Sequence, residues 1–229
     1  MLRGKLRSRW TASCLVEMFG TYILVLAGPA SVVIVSTTLA AAERLVMVAL
    51  VFGLAVATMI IVIGEMSGAN INPAVSIASA MAGVLEWKML VSYAGFQIMG
   101  GLLAGLTLNL LLGSLAPSTH LGSTMLAANV SPIEGIALEI IGTLLLATSA
   151  LLAGSFIRTA PRRALLVGGT LSILILFIGP LTGASFNPAR SLGPAVFSGY
   201  YENQSLYWIG PFTGAACAGL IFRRLGRRN

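Results

Sequence analysis

Six long apolar runs, near residues 13–36, 45–64, 89–113, 133–156, 164–180 and 206–222, constrain this chain more than any other feature. Each approaches or exceeds the ~20 residues that carry a helix across a ~30 Å hydrocarbon layer. No water reaches backbone N–H and C=O groups at that depth, so each run must satisfy its own as a helix. The connections between runs are short, and one membrane domain fills the 229 residues. Composition agrees with a lipid solvent: 9% of residues are charged, against about 25% in ordinary soluble domains.

The formal charge of +7 raises the question of a nucleic-acid partner. The basic residues flank the apolar runs and never form a stripe within one, which excludes that reading. Arg3, Lys5, Arg7 and Arg9 precede the first run; Arg158, Arg162 and Arg163 separate the fourth and fifth; Arg223, Arg224, Arg227 and Arg228 follow the sixth. All three clusters fall on one side of a six-span arrangement, and the positive-inside tendency assigns that side, with both termini, to the cytoplasm. Met1 to Ala30 imitates a secretory signal, but Glu17 interrupts its apolar body, and a retained first helix is expected. Cys14 and Cys217 show no metal or redox spacing and are expected to be buried and inert.

Two shorter apolar stretches remain, Asn72–Ala82 and Asn187–Phe197. Eleven residues rise only about 16 Å, roughly half of the hydrocarbon layer, so both are expected as re-entrant half-helices. They lie in matching places of an internal repeat. Glu17-Met-Phe-Gly20-Thr21 aligns with Glu139-Ile-Ile-Gly142-Thr143, and Ser67 to Ser76 with Thr182 to Ser191 without a gap. Tyr93, Gly100, Ala104 and Gly105 fall opposite Tyr207, Gly214, Ala218 and Gly219. Each half, about residues 11–113 and 133–225, holds three crossings, so the second enters the membrane upside down relative to the first. The expected fold class is an all-α membrane protein with six transmembrane helices and two re-entrant half-helices in an inverted repeat. Gly101 and Gly105, and Gly210 and Gly214, have the four-residue spacing of close helix packing.

Each half-helix opens on Asn-Pro-Ala: Asn72, Pro73 and Ala74 in one, Asn187, Pro188 and Ala189 in the other. Asn is a strong N-cap and Pro suits the first helical position, so each triplet starts a helix. The inverted repeat brings two positive dipole ends and two asparagines to one point near the midplane. Each carboxamide oxygen caps its own helix, which leaves the NH2 groups free to donate to a passing molecule. The extended segments Gly68, Ala69, Asn70, Ile71 and Gly183, Ala184, Ser185, Phe186 are expected to offer their backbone carbonyls to a pore. Fixed donors and acceptors on an otherwise apolar path suit small uncharged molecules, and the dipole ends oppose cations and hydronium.

The duplicated Asn-Pro-Ala, the paired Glu-x-x-Gly-Thr and Arg190 after the second motif resemble the aquaporin family, the major intrinsic proteins, along essentially the whole chain. The resemblance implies a passive channel for water, and for glycerol, other small neutral solutes or gases, in the cell membrane. It also implies half-helices meeting as a seventh pseudo-span, and a homotetramer with one pore per subunit. It assigns a selectivity filter to Phe52, Ile175, Ala184 and Arg190, and gives Glu17 and Glu139 the role of holding the re-entrant loops by hydrogen bonds. Water-specific relatives usually place a histidine where Ile175 stands. Glycerol channels pair two aromatics in the filter and carry aspartate where this chain has Ser191. The present set is therefore expected to be wider and less polar than a water-specific filter, and similar filters occur in archaeal aquaporins, the subgroup it resembles most. Asn70 stands where a histidine is common. Glu65 is expected to be solvated near the inner mouth, and His120 to be a loop residue.

Inverted repeats with broken helices also build ion-coupled transporters, the competing reading. Against it, Glu17 and Glu139 are almost the only ionisable residues in the spans. A structural protein with a closed pore is a further possibility. No nucleophilic triad, metal-ligand set or cofactor motif suggests an enzyme.

Overall fold

The computed structural model describes residues 2–226, with side chains from Trp10 onward, and all of its described regular structure is helical. Six long helices form the bundle: α1 (Leu2–Ser36), α2 (Ala41–Ser67), α4 (Trp87–Leu112), α6 (Pro132–Phe156), α7 (Ala160–Thr182) and α9 (Leu206–Gly226). Two short apolar helices, α3 (Pro73–Ala82) and α8 (Pro188–Ser198), follow α2 and α7. Five of the long helices are long and apolar enough to cross a membrane. The sixth, α9, is diluted by Arg223 and Arg224 in its last turn, but its 21 residues reach about 31 Å. It packs along α6 much as α4 packs along α1.

Helix α1 starts well before its apolar run because Arg and Lys are good helix formers and do not end it. The side chains of Arg3, Lys5, Arg7 and Arg9, and all of Arg227 and Arg228, lie outside the described residues. The connection after α4, which reads as a plain loop in the sequence, contains the single-turn α5 (Ala116–Thr119) between two 3-10 turns. His120, Leu121 and Gly122 there all have positive φ, 46°, 52° and 70°.

Both half-helices begin as their caps dictate. The Asn72 carboxamide oxygen accepts from the Ala74 amide at 2.8 Å, and that of Asn187 from Ala189 at 3.0 Å and Arg190 at 3.3 Å. Pro73 and Pro188 occupy the first helical position, where the missing N–H is no loss. Each half-helix then lies against a long helix from the other half of the chain, α3 on α9 and α8 on α4. Glycine makes both contacts possible: a Cβ at Gly101 would stand 2.5 Å from the Ala189 carbonyl, and one at Gly219 2.5 Å from that of Ala78.

The main apolar cluster gathers residues of α1, α2, α6 and α7, including Phe52, Leu146, Leu171 and Ile175. A smaller cluster of Ala74, Ala78, Ala147, Ala215 and Ala218 packs around α3. Outward faces carry large apolar side chains such as Leu54, Val62, Leu165 and Phe177, as a lipid solvent requires. Cys14 is buried, but Cys217 is exposed, contrary to expectation. It sits off the inward face of α9 formed by Gly210, Gly214 and Ala218, and apolar sequence alone does not distinguish a face toward protein from one toward lipid.

Candidate functional site

The loops that lead into α3 and α8 have the same unusual backbone. Gly68, Ala69 and Ile71 have φ of 92°, 48° and 43°, and Gly183, Ala184 and Phe186 have 78°, 45° and 52°. A β-branched or bulky residue at positive φ is strained by about 1–3 kcal/mol and persists only where its surroundings over-determine it. A buried carboxylate does so in each loop. Glu17 accepts from the Asn70 amide at 2.9 Å, the Ile71 amide and the Ser67 hydroxyl at 2.6 Å each, and the Gln97 carboxamide at 2.8 Å. Glu139 accepts from the Thr182 hydroxyl at 2.7 Å and from the Ser185 and Phe186 amides at 2.9 and 2.8 Å.

The glycine three residues after each glutamate completes the grip. A Cβ at Gly20 would fall 2.5 Å from Ile71 Cγ2, and one at Gly142 2.6 Å from Phe186 Cζ. Glu-x-x-Gly therefore holds a loop residue by its amide and leaves room for its side chain. Tyr93 and Tyr207 tie the loop entrances, donating to the Ser67 carbonyl at 2.9 Å and the Thr182 carbonyl at 2.8 Å. With the amides turned toward glutamate, the carbonyls are free to face the other way.

The two asparagines meet across the midplane. Asn72 Nδ2 donates to the Phe186 carbonyl at 2.8 Å, and Asn187 Nδ2 to the Ile71 carbonyl at 3.1 Å. This corrects the expectation of wholly free NH2 groups. Each carboxamide uses one hydrogen to lock the opposite loop, and its second is left for a passing molecule.

Alongside runs a cavity of about 390 Å³. Gly68, Ala69, Asn70, Ile71, Asn72, Ala184, Ser185, Asn187 and Arg190 line its polar strip, and Leu24, Val56, Ile60, Leu146 and Leu171 its apolar wall. Gly183 and Phe186 are outside the wall; the Phe186 ring is fully buried and its carbonyl holds Asn72. Of the four residues assigned to a filter, Phe52, Ala184 and Arg190 line the cavity and Ile175 does not. Ile175 is buried in the same apolar cluster as Phe52.

Arg190 is 3% exposed, and its guanidinium carbon stands 4.9 Å from the centre of the Phe52 ring, in cation–π range. One terminal nitrogen donates to the Gly122 carbonyl at 2.9 Å, which the left-handed turn at 120–122 presents. Behind α8 a hydroxyl chain links Thr124, Ser191 and Ser185, with Thr124 donating to Ser191 at 3.0 Å. Ser191 thus supports the loop where a carboxylate would need a counter-charge. His120 packs its ring on Tyr200 at 4.5 Å between centroids, a contact that its position in a loop does not suggest. Glu65 is exposed, as expected, yet it pairs with Arg163, a cavity-lining residue that the sequence pattern groups with the topogenic arginines. Among the described residues, no group of three His, Cys, Asp or Glu side chains could hold a metal.

A family model described as major intrinsic protein matches residues 6–222. The chain belongs to the major intrinsic protein family. It is accordingly a multi-pass membrane channel and not an enzyme. The chain is 38% identical over 218 residues to aquaporin NIP1-1 of Zea mays, covering 93% of this chain and 74% of that protein. It is 34% identical over 212 residues to probable aquaporin NIP4-2 of Arabidopsis thaliana, covering 93% and 74%. Its fold is that of a solved aquaglyceroporin from Plasmodium falciparum, at a TM-score of 0.82 and 21% identity over 94% of this chain and 95% of that one. In this major intrinsic protein, each Asn-capped half-helix and its gripped loop follow directly on a long helix, α3 after α2 and α8 after α7.

Proposed function

We propose that this protein is a passive channel for water that also admits small neutral solutes such as glycerol, and excludes protons and ions. The observation that carries the reading is the polar strip of the cavity, built from two strained loops whose amides are held by Glu17 and Glu139. Carbonyl oxygens and the remaining asparagine hydrogens replace the hydrogen bonds of a molecule leaving bulk water, and the apolar wall offers it no others. Two helix N-termini at the centre oppose any cation that reaches them.

Phe52, Ala184 and Arg190 form the filter in this reading, with Ile175 buried in the same apolar cluster as Phe52. One aromatic and one small residue beside the arginine favour a passage wider than a water-specific one. The affinity with archaeal aquaporins rests on this composition alone, since the relatives named above are plant proteins. The two halves, 11–113 and 133–225, are read as inverted repeats of a single channel domain, on matched grips, caps and half-helix packing. The basic clusters orient both termini to the cytoplasm of a cell membrane. Four copies in a homotetramer, one pore each, follow from the family resemblance. An ion-coupled transporter lacks a carrier: Glu17 and Glu139, the fully buried carboxylates, are engaged by loop amides.

Stopped-flow light scattering on proteoliposomes tests the proposal. Shrinkage in an impermeant osmolyte and re-swelling in glycerol should both exceed those of empty liposomes, with a low activation energy for water. Saturable, gradient-dependent accumulation of solute would instead establish a transporter.

A further inference from the structure

A second guanidinium stands in the cavity wall at the start of α7, whereas Arg190 follows the loop after the end of that helix. Arg163 stands in the first turn of α7, lines the cavity, and has a side chain only 20% exposed. It pairs with Glu65 in the last turn of α2, whose side chain is 77% exposed. Arg163 Nε is buried with no hydrogen-bond partner among the described residues. Arg162 next to it is exposed and is absent from the wall.

An ion pair with one partner so exposed contributes little to stability. Its geometric effect is larger: it holds the guanidinium of Arg163 over the mouth. Ser67, Asn70, Ser79 and Ser155 line the same cavity, so Arg163 shares its wall with hydroxyl and carboxamide groups. Arginine brings five N–H donors in a fixed fork and no acceptor, and Glu65 occupies only part of the fork. A solute larger than water loses part of its hydration on entering, and each oxygen left without a donor costs free energy.

We infer that Arg163, positioned by Glu65, is a second specificity-determining residue, which donates hydrogen bonds at the inner mouth to neutral solutes bearing hydroxyl or carbonyl oxygens. The inference deepens the channel reading and rests on it. Such solutes are small polyols or amides, represented experimentally by glycerol and urea. The positive charge also disfavours cations before they reach the half-helices.

The test compares glycerol, urea and water permeabilities of proteoliposomes carrying the unsubstituted protein, Arg163→Leu, Glu65→Gln, the charge swap Glu65→Arg with Arg163→Glu, and Arg162→Leu. Leucine keeps apolar bulk and removes the donors, so Arg163→Leu should lower the glycerol-to-water and urea-to-water ratios about fivefold, the effect of one lost hydrogen bond. Glu65→Gln should lower them less, since it frees the guanidinium without removing it. The charge swap restores an ion pair but puts an acceptor in the wall, which takes hydrogen bonds from the solutes' O–H and N–H groups yet gives none to their oxygens, so its ratios should stay below those of the unsubstituted protein. Arg162→Leu should match the unsubstituted protein. Full recovery in the charge swap would reduce the pair to a helix tie, and unchanged ratios in Arg163→Leu with normal water flux would overturn the inference alone. If the unsubstituted protein passes water but neither solute, the inference also fails. If it passes nothing, the channel reading fails and takes the inference with it.

Discussion

Glu139→Gln tests the grip on the second loop with the smallest change in shape. The carboxylate has two oxygens, one engaged by Thr182 and Ser185 and the other by Phe186. Glutamine keeps one oxygen and replaces the other with NH2. If NH2 faces the Phe186 amide, two donors oppose each other; if it faces Thr182 and Ser185, the hydroxyl can turn to accept but the Ser185 amide cannot. Either way one buried N–H loses its partner, at about 1–3 kcal/mol, and Phe186 at φ 52° loses the contact that holds its strained backbone. That energy raises the population of a disordered loop about 5- to 150-fold. The variant should unfold at lower temperature in detergent, and its water permeability per reconstituted channel should fall in stopped flow. Glu17→Gln should act alike: in either orientation of the new carboxamide the Asn70 or the Ile71 amide loses its acceptor, while the Ser67 hydroxyl can turn and the Gln97 carboxamide can flip. Unchanged unfolding temperature and unchanged permeability in Glu139→Gln would refute the reasoning.

Arg190→Ala removes the guanidinium that stacks on Phe52 and should relax selectivity in a folded protein, seen as a higher glycerol-to-water permeability ratio; an unchanged ratio would remove Arg190 from the filter. Gly101→Leu drives a side chain into the Ala189 carbonyl, an overpacking of about 1–3 kcal/mol or more that separates α4 from α8, and should show as a clear drop in unfolding temperature. A Cβ at the exposed Gly95 of the same helix meets nothing within 4 Å, so Gly95→Leu should leave that temperature unchanged or higher.

Features governed by local chemistry were the most legible from sequence. Asn-Pro-Ala specifies a capped helix start wherever it falls, and eleven apolar residues are too short to cross, so α3 and α8 appear within a residue of their expected bounds. Arg190 was recognisable because a charge inside a re-entrant segment needs a reason. What depends on the direction of a side chain was not legible. The family resemblance assigns Ile175 and Phe52 alike to the filter, although only Phe52 lines the cavity. Apolar patterning treats Cys217 as interior because lipid and protein core select the same residues. The cross-loop bonds of Asn72 and Asn187 join residues 114 and 116 positions apart and follow only from the meeting of the two loops. Arg163 was obscured by its neighbours, since a cluster of arginines after a span has a sufficient explanation in topology. The signal that could have singled it out is its place one helical turn into α7, opposite the end of α2 where Glu65 stands.

The central claim is that two asparagine-capped half-helices let hydrogen-bonding molecules pass in file while their positive ends stop protons. The most direct measurement follows water flux and proton flux in the same proteoliposomes, by light scattering and by an encapsulated pH-sensitive dye under an imposed pH gradient. The account predicts water permeability well above that of empty liposomes and a pH gradient that decays no faster than theirs. Protons crossing in step with water would contradict it.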